Sequence, residues 1–253
     1  MRIAIVTGAS SGIGQEFVKQ ISMHFSSLEE IWVIARRKER MEELQDMVDT
    51  KLRILPLDLT NEDDLNTLKN TIEVEKPNIR ILVNASGFGK IGMFSELSHE
   101  ENIGMIDLNC KALTSVTYFS LPYMKKGYRI IQIASSAGFL PQPRFAVYAA
   151  TKSYVLSLSR ALAHELKKRN ISVLAVCPGP VKTEFFDLAE KTGKIKLYKK
   201  VVMADPVKVV KLSLKDSKDK KEISVYSAPM KLLLLASKLL PQKILLSTMD
   251  ILK

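Results

Sequence analysis

The chain opens with an apolar run, Arg2 to Thr7, that leads into the glycine-rich sequence Gly8-Ala9-Ser10-Ser11-Gly12-Ile13-Gly14. No other feature restricts the fold as strongly. Glycines so placed let a backbone turn tightly from a strand into a helix, with no Cβ between the chain and whatever approaches the turn. The sequence then repeats the theme. Apolar runs near Ile31 to Ala35, Arg53 to Leu57, Ile81 to Asn84, Arg129 to Ala134 and Ser172 to Cys177 alternate with longer helical stretches. That alternation predicts a parallel sheet with helices on both faces, and the runs are apolar enough for strands buried from both sides. With a last strand near Ile223 to Tyr226, the expectation is a Rossmann-like, doubly wound α/β sheet of about seven strands in a three-layer sandwich.

A chain of 253 residues can bury such a core without splitting in two. We expect a dinucleotide-binding and catalytic domain over 1–226, with a substrate-lid region over about 181–204 where the pattern loosens. A leucine-rich helical tail follows over 227–253, broken by Pro241. In its second half Lys243, Ser247 and Asp250 share one helical face, while Ile244, Leu245, Met249 and Leu252 line much of the remainder. Thr60, with Asp63 three residues on, resembles a capping box, and Asp205-Pro206 marks another helix start.

Hydrophobic residues at 46% and charged residues at 26% suit a soluble globular protein and exclude a disordered one. No apolar run reaches the roughly 18 residues of a membrane span, and no signal-peptide pattern precedes the first strand, so a cytoplasmic location is expected. Cys110 and Cys177 have neither metal-ligand nor disulfide spacing and read as reduced core thiols; His24, His99 and His164 are scattered, so no metal site is assigned. The net charge of +11 is uneven: 16 lysines face 8 acidic residues from Lys182 to Lys253. Such runs are solvated surface or attract an acidic carrier protein, an anionic thioester or an anionic membrane surface. No nucleic-acid module is present, so no nucleic-acid partner is expected.

At the end of the second apolar run stand Arg36 and Arg37, about 20 residues past the glycines, where an acid would bind the ribose 2′-hydroxyl of NAD. Guanidinium groups bind phosphate oxygens in pairs, so two arginines there predict a 2′-phosphate and hence NADP(H). Asp58 and Asn84 follow the third and fourth runs, on the expected adenine side. Tyr148 and Lys152 lie four residues apart, on one face of a helix, and Ser135 stands thirteen residues before the tyrosine. A free phenol, with pKa about 10, exchanges protons poorly at neutral pH, and a neighbouring ammonium is expected to bring it toward range.

On these motifs the chain resembles the short-chain dehydrogenase/reductases over roughly residues 2 to 230. Thr7 to Gly14 matches the family's cofactor loop, Asp58-Leu59 its adenine-contacting pair, and Asn84-Ala85-Ser86-Gly87 stands in for the usual Asn-Asn-Ala-Gly. Pro178, Gly179, Val181 and Thr183 fall in the segment beside the nicotinamide carboxamide. The resemblance implies a tetrad of Asn109, Ser135, Tyr148 and Lys152, with Ser135 fitting Ser-x-Ala-Gly better than Ser136. It implies that Ser135 polarises a carbonyl, Tyr148 delivers the proton, Lys152 stabilises the tyrosinate and holds the nicotinamide ribose, and Asn109 holds a relay water. It also implies a homodimer or homotetramer.

Phe139, Phe145, Phe185 and Phe186 fall in segments expected around the substrate mouth and favour an apolar ketone or alcohol, such as a 3-oxoacyl thioester or hydroxysteroid. Two other readings compete. One is a non-catalytic NADP(H)-binding sensor or scaffold; the other is a lipid reductase docked on a membrane surface through 228–253.

Overall fold

A computed structural model describes residues 1–185, 189, 203–241, 243 and 245. Phe186, most of the 181–204 lid, and Ile244, Ser247, Met249, Asp250 and Leu252 of the tail lie outside the described residues. In chain order the elements are β1 (Arg2–Thr7), α1 (Gly12–His24), β2 (Glu30–Ala35), α2 (Lys38–Gln45), β3 (Leu52–Pro56), α3 (Glu62–Glu75) and β4 (Asn78–Asn84). Next come α4 (His99–Ile106), a π turn (Asp107–Ala112), α5 (Leu113–Ser120), β5 (Arg129–Ile133) and a 3-10 turn (Ser136–Phe139). Then follow α6 (Ala146–Glu165), β6 (Ser172–Val176), α7 (Pro206–Lys218), β7 (Ile223–Ser224) and α8 (Ala228–Leu239).

The strands form one parallel sheet in the order β3-β2-β1-β4-β5-β6-β7. Side chains of β1 alternate between two cores, as the period of two demands. Ala4 and Val6 pack with Phe17, Val18 and Ile21 of α1 and with Val209 and Val210 of α7. Ile3 and Ile5 pack on the opposite face with Leu68 and Ile72 of α3 and Val116 of α5. Both faces of the strand are fully covered, which is why the sequence reads as a continuous apolar run.

The chain order reverses between β1 and β4, and this switch point opens a crevice at the carboxyl ends of the strands. Strand boundaries move from the expected ones by a few residues, most at β4, which begins at Asn78 rather than Ile81. A register irregularity between Ile3 and Ala4 lets Asn78 and Ile79 pair with Arg2 and Ile3, and Arg80 hides the apolar pattern in between. The expected cap at Thr60 is corrected: Asn61 caps α3, its side chain accepting from the Asp63 and Asp64 amides, while the Thr60 hydroxyl donates to Asp58 Oδ1. Asp205 caps α7 as expected. The first helix of the tail, α8, rests on the body through Met230, Leu233 and Leu234. No helix among the described residues is long and apolar enough to cross a membrane.

Candidate active site

One crevice of about 1500 Å³ runs from the glycine turn to the start of α6. The end at α6 is built by three elements. The turn after β5 presents Ser135, the first two turns of α6 present Tyr148 and Lys152, and the loop after β4 passes over them through Gly87 and Phe88. Gly89 is required there, since a Cβ would lie 2.7 Å from Tyr148 Cδ2. Tyr148 and Lys152 are 7% and 4% exposed, so both ionisable groups sit in a desolvated environment.

That burial disfavours the charged form of each. Desolvation pushes the Tyr148 phenol up to about 12, while a hydrogen bond with Ser135 pulls it the other way. The expectation that Lys152 draws the phenol down is corrected. The Lys152 ammonium donates to the Ile133 carbonyl at 2.7 Å and stands 5.6 Å from the centre of the tyrosine ring. Burial lowers Lys152 itself to about 8. Burial thus favours the neutral form of both groups. Ser135 rather than Ser136 pairs with the phenol; the Ser136 amide donates to Pro178 O at 2.9 Å.

Asn109 lies in the π turn, fully buried. Its amide donates to Phe88 O at 2.9 Å and Thr151 Oγ1 at 3.0 Å, and its oxygen accepts from Phe88 N at 3.0 Å. The side chain therefore ties the loop after β4 to α6. A π turn also displaces a backbone carbonyl from the regular helical ladder, a distortion that recurs at functional sites.

Of the aromatic residues expected at the mouth, Phe145 stacks on Tyr148 with ring centres 4.2 Å apart, and Phe185 lies 5.4 Å from the same ring. Phe139 is corrected: it packs with Leu113, Leu140 and Val155 in the core and does not line the crevice, because the 3-10 turn points it inward. The sequence reading missed Phe88, Gln142, Met230 and Leu233, which also line the crevice. A signal existed for Phe88 in the adjacent Gly89; nothing local marks a tail helix that returns from another part of the chain.

At the other end, Gly8 adopts φ +67°, and a Cβ there would sit 2.8 Å from the Ser86 amide. Ser10, Ser11, Gly12, Ile13 and Gly14 line the crevice, and Ser11 caps α1 without a side-chain bond, leaving first-turn amides available to an anion. Arg36 lies 3.7 Å from Asp58, and Arg37 reaches Ser11 Oγ at 2.9 Å. Burial disfavours the Asp58 carboxylate, yet the Thr60 amide and hydroxyl and then Arg36 outweigh it and hold its pKa below the usual range. Leu59, Ala85, Ser86, Gly87, Pro178, Gly179, Val181 and Thr183 line the wall. Asn84 is the exception: its side chain does not line the crevice and donates to Thr117 Oγ1 of α5 and Gln132 Oε1 of β5, both at 2.9 Å. Length, glycine turn, helix terminus and paired arginines suit a dinucleotide.

The comparisons agree with this architecture. A family model for short chain dehydrogenases matches residues 2–193. The chain is 31% identical over 184 residues to an uncharacterized oxidoreductase of Staphylococcus epidermidis, covering 72% of this chain and 79% of that one. A short-chain dehydrogenase from Sphingobium yanoikuyae in complex with NADPH superposes with TM-score 0.80 at 26% identity, over 98% of this chain and 96% of that one. A bulky-bulky ketone specific alcohol dehydrogenase from Comamonas testosteroni superposes with TM-score 0.75 at 25% identity, over 98% and 94%. With its seven-stranded sheet and a crevice that holds serine, tyrosine and lysine together, the chain belongs to the short-chain dehydrogenase/reductase family, oxidoreductases that work on CH–OH and C=O groups with a nicotinamide cofactor.

Proposed function

We propose that this oxidoreductase is NADP(H)-dependent and interconverts a ketone and a secondary alcohol on an apolar substrate, of the 3-oxoacyl thioester or hydroxysteroid class. The observation that carries the reading is the buried Tyr148, hydrogen-bonded to Ser135 and walled by Phe88, Phe145 and Phe185 in the crevice. Ser135 donates to the carbonyl oxygen and Tyr148 gives that oxygen its proton in reduction, or removes it in oxidation. When bound, the nicotinamide supplies or accepts the hydride. Lys152 replenishes the proton and holds the ribose, and Asn109 fixes the loop that closes the site.

Arg36 and Arg37 favour a 2′-phosphorylated cofactor, a reading supported by the NADPH bound to the Sphingobium enzyme. The aromatic wall favours an apolar substrate, in line with the ketone named for the Comamonas enzyme. NADPH oxidation measured against a 3-oxoacyl thioester, a 3-ketosteroid, a 17-ketosteroid and a medium-chain aldehyde tests the reading, each run paired with Tyr148→Phe. Turnover on one ketone, lost by at least about a hundredfold in the variant while NADPH binding survives, is the expected result. Tight NADPH binding with no turnover on any substrate favours the sensor reading instead.

Two further features bear on partners. Tyr118 at 75% exposure and Tyr154 at 42% lie on α5 and α6, whose outer faces are the surface proposed for a homodimer or homotetramer. On α8, Leu232, Leu235 and Leu239 form an exposed stripe edged by Lys231 and Lys238, which supports docking on an anionic membrane surface.

A further inference from the structure

If Arg37 receives a 2′-phosphate, it must first part from another anion. Its Nη1 lies 2.9 Å from Glu184 Oε2, and Arg40 pairs with the other oxygen of the same carboxylate. Arg37 also donates to Ser10 Oγ at 3.2 Å and Ser11 Oγ at 2.9 Å. A carboxylate held between two guanidinium groups, beside two hydroxyls, occupies a donor set shaped for a phosphate monoester. That carboxylate comes from the other side of the crevice, on the segment after β6. Thr183 before it closes on the glycine turn, where a Cβ at Gly12 would lie 3.1 Å from Thr183 Cγ2. Phe185 after it rests against the catalytic Tyr148. The two residues that flank Glu184 therefore touch opposite ends of the crevice.

We infer that Glu184 is the resident counter-anion of the 2′-phosphate site: its carboxylate and the phosphate compete for Arg37 and Arg40, so NADP(H), and not NAD(H), releases the segment that carries Phe185. The inference rests on the NADP(H) reading and extends it, adding Arg40 as a phosphate ligand and coupling cofactor identity to the substrate wall. Two anions cannot share these guanidinium groups at contact distance without repulsion, and a phosphate monoester carries more charge than a carboxylate. Glu184 and both arginines are about two-fifths exposed, so the resident pairs exchange readily. Arg40 and then Arg37 hold the Glu184 carboxyl below its usual range, which keeps the competitor charged. Ala204 bridges Val181, three residues before Glu184, in parallel fashion.

Calorimetric titration of the full chain with NADPH, NADH and adenosine 2′,5′-bisphosphate tests this in wild type, Glu184→Gln and Arg37→Ala. Removing the competitor in Glu184→Gln should tighten NADPH and the bisphosphate by about five- to tenfold, the scale of two partly exposed ion pairs, and leave NADH unchanged. Hydrogen exchange at Thr183 to Phe185 should be faster with NADPH than with NADH in wild type, and equal for the two in Glu184→Gln. NADPH and NADH affinities that move together in Glu184→Gln overturn the inference, since Glu184 is then a clasp for either cofactor. A wild type that prefers NADPH, loses the preference in Arg37→Ala and ignores Glu184→Gln overturns the inference alone. A wild type that prefers NADH, unaltered by Arg37→Ala, overturns the NADP(H) reading together with it.

Discussion

Lys152 shows how one buried charge links the chemistry of the site to the stability of the fold. Its pKa falls from 10.5 to about 8 because burial penalises the ammonium, with the nearby Cys110 and Cys177 thiols acting in the opposite sense. Between those two values the unfolded chain holds a proton that the folded chain has lost, so folding stability rises with pH across that window. The difference in unfolding free energy between wild type and Lys152→Met should therefore shift in favour of wild type between about pH 7 and about pH 10, read by urea denaturation. A flat difference, or a drift the other way, removes the buried-ammonium account. The thiols follow the same logic: burial pushes Cys177 to about 12 and Cys110 to about 11, which disfavours the thiolate form of both. At this scale Tyr148 and Lys152 were legible because residues four apart share one face of a helix, and Ser135 because its motif matches the family's serine. Asn84 and Phe139 misled because a motif fixes where a residue sits along the chain, and only packing decides which way its side chain turns.

Among elements, α3 shows where local rules operate and how narrowly. A capping box over Thr60 and Asp63 is sound chemistry in the wrong frame, because Thr60 is committed to Asp58 at 2.7 Å and the neighbouring Asn61 takes the cap. Asn61→Ala should cost about 1 kcal/mol of stability, and Thr60→Ala measurably less, since only the first leaves helix amides without an acceptor. Equal losses in chemical denaturation would mean the Thr60 to Asp58 bond supports the turn as strongly as the cap supports the helix. A true capping box does occur at Ser98 and Glu101, opening α4, and it went unread because no apolar run announces that helix. The π turn around Asn109 was equally hidden. Within it the Asn109 side chain bonds to Phe88 and Thr151, and no periodicity records such tertiary contacts.

For the whole molecule, the sequence made the parallel sheet legible through alternation alone, and the crevice followed from the switch point between β1 and β4. What it could not convey is that the tail helps to build the site. Met230 and Leu233 of α8 line the crevice, and a Cβ on Gly179 would meet Met230 at 3.0 Å. Deleting the tail to probe membrane docking would therefore open the substrate wall, and a finer change is needed. Leu232, Leu235 and Leu239 recur at helical spacing on the face away from the body, at 67%, 52% and 71% exposure. Lysines along the edge of that stripe, on a chain of net charge +11, match an anionic lipid surface in sign, while the leucines supply the apolar insertion. The full chain should sediment with vesicles containing phosphatidylserine and much less with purely neutral ones. Replacing the three leucines together by glutamine should abolish sedimentation while NADPH binding persists, because none of them touches the crevice. Sedimentation that survives the triple replacement, or that never occurs in wild type, rejects the membrane reading. A triple variant that instead changes the oligomeric state in sedimentation velocity assigns the stripe to a second copy of the chain.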